Sequence, residues 1–304
     1  EEEIPLESRE KSYWTTVADH AIELAEEAVR LLPDFDKVTD SQGNATTYKS
    51  VPCKGAANAV LAYLAAWKAG CKWMAQPSER NYDEAKLWEK AEQACTDIIG
   101  PGEATGCYRL AANPEKVCTQ VLVGGSAESI YESVYVGFWD DFGPSWKNLV
   151  DQAPLFQTWP MLNYGKREVK EAVIRVKTET VRKMYEEGDL RRDAYFYAFE
   201  EMASPDSVEI TGGFAYPYKW REVAVETSGP KIGEYLHINQ NYIWWRLADI
   251  YLLRAECRAR LNKKELAIAD INVVRDRAQA KRYNASEYAG NLQMAVFKER
   301  EKEL

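Results

Sequence analysis

Histidine is almost missing from this chain: its 304 residues hold only His20 and His237. That leaves little material for a His-rich metal centre or a Ser-His-Asp triad. None of the six cysteines forms a C-x-x-C pair, although five of them fall between Cys53 and Cys118, which argues against a zinc ribbon or a thioredoxin-like centre. There is no H-E-x-x-H and no Gly-rich phosphate loop, and Gly124-Gly125-Ser126-Ala127-Glu128 departs from the G-x-S-x-G nucleophile elbow at its last position. Neither a metal nor a cofactor is expected. Positive charge is also in deficit, with a net charge of -9 and a pI of about 5.1. Nucleic-acid affinity comes mainly from Lys and Arg neutralising phosphates, so a polyanionic partner is disfavoured, as is adsorption to anionic lipid. A neutral ligand such as a sugar is compatible. No stretch approaches the ~20 apolar residues of a membrane span. The chain begins at Glu1 without an initiator Met, signal peptide or lipid-attachment cysteine, and is expected to be processed or truncated.

What the sequence does hold is aromatic mass, with 10 Trp and 18 Tyr in a composition that is 46% hydrophobic and 29% charged. A chain of this length can bury a substantial core. Helical periodicity organises much of it. Trp14, Ala18, Ala21, Ala25, Ala28 and Leu32 share one face of a helix predicted over 13–32, which Pro33 stops. Cys53, Ala57, Val60, Leu61 and Leu64 form a second stripe, and Leu87, Ala91, Ala94, Cys95 and Ile98 a third, closed by Gly100-Pro101-Gly102. Alanine-rich stripes allow close backbone approach, as in tetratricopeptide-type helix pairs. A strongly charged helix is predicted over 168–187, closed by Gly188. One face of Trp244, Ala248, Tyr251, Leu252, Ala255 and Ala259 predicts a helix that pairs, through Asn262-Lys263, with a second helix carrying Ala267, Ile271, Val274 and Ala278; another helix starts at Leu292. For the cysteines, disulfides in an oxidising compartment and free buried thiols both stay open, the latter especially for Cys53, Cys95 and Cys257 on helical faces.

Between these helices the period fades. Residues 106–165 are punctuated by Gly and Pro and crowded with Trp and Phe, and 202–240 reads as turns with one hairpin. Long irregular segments in compact proteins are usually functional surfaces, and this aromatic density argues against disorder. Flat Trp and Tyr faces match the C–H face of a pyranose while neighbouring polar groups reach its hydroxyls. Trp139, Trp146, Trp159 and Tyr164 are therefore the leading glycan-binding candidates, followed by Trp220 and Tyr218. Each alone would ordinarily be a packing residue, since Trp is highly buried on average, so the expectation rests on the group. Asp140-Asp141 is the best carboxylate pair for glycoside hydrolysis, and solvated acids are the commoner meaning of such a pair.

Several motifs occur in the order found in one family. Ser50-Val51-Pro52-Cys53-Lys54-Gly55-Ala56-Ala57 is similar to a "TKGAA" helix start, with Cys53 at the Thr position. Gly188-Asp189-Leu190-Arg191-Arg192-Asp193 is similar to "DPRRD", with Leu190 for Pro. Trp245 to Cys257 looks like "RYADVLLMYAEA", Ala267-Ile268 and Ile271 to Ala278 follow at family spacing, and Glu299 to Leu304 is similar to "ER..EL". On these motifs the chain resembles the SusD/RagB family of Bacteroidetes outer-membrane lipoproteins along nearly its whole length, truncated at both ends. The resemblance implies a mainly all-α fold of tetratricopeptide-like helix pairs with long loop insertions. It also implies capture of oligosaccharide or polysaccharide at the cell surface, a lipid anchor in the outer membrane, and delivery to a SusC-like TonB-dependent transporter, as in starch-utilisation systems. Arg246 and Asp249, three apart, are expected to pair on one helix, and Arg191, Arg192 and Arg275 to meet carboxylates as architectural residues. The expected organisation is a single helical domain over 1–304, with 106–165 and 202–240 as loop-rich insertions carrying the glycan surface. Binding without bond breaking is the expected activity. An α-helical glycoside hydrolase and a tetratricopeptide-type protein-binding scaffold are the alternatives.

Overall fold

The computed structural model describes residues 11–100, 107–134 and 175–304, except 226, 233, 234 and 239. Helix α1 (Trp14–Leu31) buries Thr15, Ala18, Ile22 and Ala25 and ends where Leu32, preceding Pro33, turns extended. The amide of Lys54 then bonds Pro33 O at 2.8 Å, which fixes the entry into α2 (Lys54–Gly70). Ala59, Ala62, Ala65 and Ala69 of α2 are wholly buried, so this helix can lie close to both α1 and α3 (Glu84–Ile99). Asp83 caps α3 by accepting from the amides of Ala85 and Lys86, and Gly100 closes it at φ 81°, a backbone conformation that glycine adopts without strain.

The chain returns to this stack much later. Helix α3 packs on a helix at Leu247–Arg260, which pairs with one at Lys264–Arg277 through Asn262 in the left-handed region; a last helix, Leu292–Glu303, lies against both. The main core joins the two halves, with Ile22, Leu61, Trp88, Cys95 and Ile98 beside Leu247, Ile250, Tyr251, Leu252 and Val274. The architecture is the mainly helical stack of tetratricopeptide-like pairs that the stripes predict.

Between the halves lie smaller elements. A short α4 (Pro114–Lys116) passes into a wider turn over Val117–Val121. It is followed by β1 (Ser129–Ser133), β2 (Val176–Lys177), α5 (Thr178–Met184), α6 (Arg191–Tyr195), α7 (Phe199–Met202), α8 (Pro205–Thr211), β3 (Phe214–Ala215), β4 (Val223–Val225), β5 (Tyr235–Ile238) and β6 (Tyr242–Arg246). The three helices named by range above are α9, α10 and α11 in chain order. Strands pair antiparallel as β1 with β6, β2 with β3 and β4 with β5. A second core of Cys118, Val181, Tyr185, Ala194, Tyr195, Phe199 and Ala215 lies under this region.

Three local expectations change. The charged helix predicted over 168–187 is, in its described part, a strand at 176–177 and only the short α5, because Val176 and Lys177 pair with Ala215 and Phe214. The helix predicted from Trp244 starts at Leu247, since Tyr242–Arg246 is a strand held to β1. Arg246 does not pair with Asp249: it turns into a buried ion network, while Asp249 meets Arg300 at 2.9 Å and accepts from Tyr63 Oη at 2.5 Å. The cysteines carry no disulfide: all six are free, with Cys53, Cys95, Cys118 and Cys257 buried. Most of the loop predicted at 106–165 lies outside the described residues. Within 202–240 the β4–β5 pair supplies the hairpin, and α8 is an element that the turn signals did not reveal.

Candidate functional site

The alternation of exposed and covered residues along β6 places Tyr242 and Trp244 on its outer face, 51% and 52% exposed. Their rings meet edge to face, with centroids 4.9 Å apart and planes at 72°. The indole Nε1–H of Trp244 donates to Ser133 Oγ on β1 at 2.9 Å, so its one polar group is tied to the neighbouring strand and the ring orientation is set. Beneath it, Trp245 lies 6.5 Å from Trp244, 6.2 Å from Tyr131 and 6.1 Å from Tyr63. Tyr63 in turn donates to Asp249 and accepts from Arg300 Nη2 at 3.0 Å. An aromatic series thus runs from solvent to the main core and is hydrogen-bonded at both ends.

The inner end of β6 is equally fixed. Arg246 is its last residue, and its Nη1 donates to Glu128 Oε1 at 2.9 Å and Glu303 Oε1 at 2.7 Å, while Nη2 reaches Glu303 O at 2.6 Å. Arg277 joins the same two carboxylates, with Glu128 at 3.0 Å and Glu303 closer still. Arg191 holds Asp189 through two nitrogens, at 2.9 and 2.7 Å, and Glu299 at 2.6 Å. Arg275 holds Glu299 at 2.7 Å and Glu287 through two bonds of 2.9 Å. These are the motif residues expected to be architectural; Arg192, with Asp193 and Glu200 for partners, stays half-buried.

Burial alone would push the Glu303 carboxyl up, but Arg277, Arg246, Arg191 and Lys219 outweigh that and hold it well below the usual carboxylate range. Lys219 donates to Glu303 O at 2.8 Å and Leu304 O at 2.9 Å, and burial, reinforced by Arg246, lowers its ammonium to about 7. The network is a structural clasp joining the loop before β1 to α6, β6, α10 and α11.

The sequence-predicted site residues divide sharply. Trp139, Trp146, Trp159 and Tyr164 lie outside the described residues, as does Asp140-Asp141. Val134, the last described residue before that segment, directly follows Ser133, the residue that orients Trp244. Tyr218 is half-buried, edge to face with Tyr197 at 5.2 Å and covered by the Arg221 guanidinium at 4.5 Å. Trp220 is half-buried too and packs with Ile243 of β6 against Val117, Val121 and Leu122. Trp220 therefore supports β6 from the inward-facing Ile243 side. Tyr242 and Trp244 were missed as site residues, although the period of two in Tyr242-Ile243-Trp244 was a signal that could have found them. His20 is an exposed residue of α1, 3.8 Å from Glu23, and His237 lies on β5. Among the described residues no group of three or more His, Cys, Asp or Glu could hold a metal ion.

A model of the SusD family matches residues 140–304. The fold superposes on a crystal structure of a SusD homolog from Bacteroides thetaiotaomicron with a TM-score of 0.66 at 18% identity, covering 95% of this chain and 56% of that one. Surface glycan-binding protein A from Bacteroides uniformis gives 0.60 at 18% identity, covering 95% and 54%. Surface glycan-binding protein A from Bacteroides thetaiotaomicron, in complex with laminarihexaose, gives 0.59 at 16% identity, covering 94% and 58%. The chain thus spans between 54% and 58% of the length of these three proteins. No curated protein matches it.

Proposed function

The chain belongs to the SusD family, and on that premise we propose that it captures oligosaccharides at the cell surface and passes them to a SusC-like, TonB-dependent transporter in the outer membrane, to which a lipid anchor holds it. The observation that carries the reading is the outward pair Tyr242 and Trp244, two large rings half in water on an ordered strand. What distinguishes them from scattered exposed apolar residues is that the two rings adjoin at a fixed angle, and ring faces so arranged suit the C–H faces of successive sugars. Trp139, Trp146, Trp159 and Tyr164 are proposed to extend this platform, because their segment follows β1 directly; Tyr218 is proposed to add a further ring to the glycan surface, and Trp220 to serve it indirectly by bracing β6 from the Ile243 side. Relatives of the same fold are named as surface glycan-binding proteins rather than enzymes, one of them in complex with laminarihexaose, which supports binding without cleavage. No helix among the described residues is long and apolar enough to cross a membrane.

The test is affinity electrophoresis through gels containing single soluble polysaccharides, with laminarin among them, followed by chromatography of the recovered glycan. The expected result is retardation by at least one polysaccharide with its chain length unchanged. Trp244→Ala should weaken that binding about fivefold, the weight of one stacked ring at about 1 kcal/mol. Shortened product would replace binding by hydrolysis, and free migration in every gel would remove the glycan reading.

A further inference from the structure

A polar cleft of about 550 Å³ lies between the end of α1, the tight turn Phe35–Lys37, the first turn of α2 and the last turn of α3, and it shares no residue with the β6 face. Gly55 lets its wall close: a methyl group there would lie 2.1 Å from Tyr108 Oη, so glycine allows this buried ring to rest on the start of α2. Tyr108 Oη in turn lies 3.5 Å from Cys53 Sγ. The ammonium of Lys49, a residue only 4% exposed, stands 3.6 Å from the Phe35 centroid and 4.9 Å from that of Tyr108, and both rings line the cleft. Asn58 lines it too. It interrupts the alanine run Ala56-Ala57-Asn58-Ala59, is 3% exposed, and has no hydrogen-bond partner for its side-chain amide among the described residues. Folded proteins rarely bury an amide without a partner. Lys54, four residues earlier and therefore on the same face of α2, adds a half-buried ammonium that no carboxylate pairs among the described residues.

The charges around the cleft decide what it can take. Asp34, Asp36 and Asp97 meet Arg30 and Lys54 across it, and Lys49 against the two rings supplies the third cation. The outer partners, Glu27 on Arg30 and Lys37 on Asp34, cancel each other. The balance favours neither an anion nor a cation, and no group of acids among the described residues could hold a metal ion. A hydroxyl both donates and accepts, so a ligand carrying several can use carboxylate oxygens and N–H groups together. Asp97 accepts from Gln93 through Oδ1 alone, at 2.7 Å, and Asp36 is met only by the weak Cys107 thiol donor at 3.6 Å, so both keep acceptor capacity; Lys54 donates, and Asn58 does both. We propose that this cleft binds one or two neutral sugar units. Its volume falls within the range of about 300–1,000 Å³ of small-molecule sites. The inference does not depend on the glycan reading of the β6 face: that platform stacks on a chain, whereas the cleft holds a short or terminal unit by hydrogen bonds.

Cys107 supplies the readout, because it lines the cleft and is the exposed member of the six free cysteines. Its alkylation by iodoacetamide is followed by peptide mass spectrometry with glucose, galactose, mannose, xylose, N-acetylglucosamine, maltose or cellobiose present, and with sodium sulfate as the anionic comparison; half-buried Cys71 is the internal control. At least one sugar is expected to slow Cys107 saturably and to leave Cys71 unchanged. Asn58→Ala and Lys54→Met should each raise the concentration for half-protection about fivefold or more, the weight of a hydrogen bond left unmade, with circular dichroism as in wild type. If Asn58→Ala does not fold, Lys54→Met, at a half-buried position, decides alone. Trp244→Ala should be protected as wild type is. No protection by any of these sugars, or wild-type protection in the folded cleft variants, overturns the inference and leaves the β6 reading to its own gel assay. Slowing by sulfate at a lower concentration than any sugar would make the cleft an anion site and overturn the neutral ligand. Protection lost in Trp244→Ala would overturn the separation of the two sites.

Discussion

Replacing Glu128 by Gln tests the clasp that holds β6. Its carboxylate is 1% exposed and accepts from Arg246 Nη1, Arg277 Nη1 and the Ala111 amide at 2.7 Å. Gln has nearly the same shape, but its amide nitrogen would present N–H groups to guanidinium N–H groups, and of the two carboxylates opposing Arg246 and Arg277 only Glu303 keeps its charge. Breaking a buried ion pair from one side typically costs about 3–5 kcal/mol, because the surviving charge stays desolvated. With an m-value of about 3 kcal/mol/M in urea, that moves the unfolding midpoint down by about 1–1.7 M. Glu179→Gln is the control: its pair with Lys183 has both side chains about three-quarters exposed, so solvent screens it and the urea midpoint should stay at the wild-type value. Adding Arg277→Met to Glu128→Gln removes a cation together with its partner, so the double variant should be more stable than the summed single losses predict by about 1–3 kcal/mol. A loss below about 1 kcal/mol for Glu128→Gln, or strict additivity of the pair, would refute the clasp as an energetic unit.

Other outcomes are equally definite. Glu303 has its folded pKa depressed below the unfolded value, so its contribution is present above the ordinary carboxylate range and lost as the pH falls through and below about 4; urea midpoints should drop there in wild type and less in Glu303→Gln. Lys219 has the opposite consequence: with a folded pKa of about 7 against an ordinary value of 10.5, the unfolded chain binds the extra proton between them. Stability should therefore rise from pH 7 to 9.5 in wild type, and the rise should shrink in Lys219→Met. Ser133→Ala removes the acceptor that orients Trp244, and glycan affinity in the gel assay should fall about two- to fivefold, the weight of one modest hydrogen bond. Gly55→Ala would set a methyl group 2.1 Å from Tyr108 Oη in a buried ring's space, and a thermal melt should show a loss of about 1–3 kcal/mol.

The helical frame was readable because its signal is local. The alanine stripes of α2 and α3 repeat every three or four residues, and the stops at Pro33 and Gly100 act on their own neighbours. Strand β6 was misread because Trp244, Ala248 and Tyr251 satisfy a helical spacing by coincidence; only pairing with Ser129–Ser133, more than 100 residues earlier, reveals a strand. The helix expected over 168–187 was too long for the same reason: Val176 and Lys177 follow a distant partner, Phe214-Ala215, while Thr178–Met184 is helical. The ion network was half legible. Arg191, Arg192 and Arg275 were expected to meet carboxylates, but partners 149 residues apart, such as Glu128 and Arg277, leave no periodic trace.

Those distant pairs bear directly on how the β6 surface works. Arg246 and Trp244 are two residues apart on one strand, so the strand is pinned at its inner end by Glu128 and Glu303 and on its outer face by the Trp244–Ser133 bond. Both anchors are needed for a shallow platform, because stacked rings give only about 1 kcal/mol each and ring disorder would consume a comparable amount of entropy. A buried ion network adds little net stability compared with an apolar core of the same shape. Its value here is geometric: guanidinium groups with directed bonds fix the register of β6 against β1, and with it which residues of Tyr242-Ile243-Trp244-Trp245 face outward. A one-residue slip would turn Tyr242 and Trp244 inward and Ile243 and Trp245 to solvent. The clasp, though remote from any sugar, is thus what makes the aromatic face a face, and loosening it should cost glycan affinity before it costs the fold.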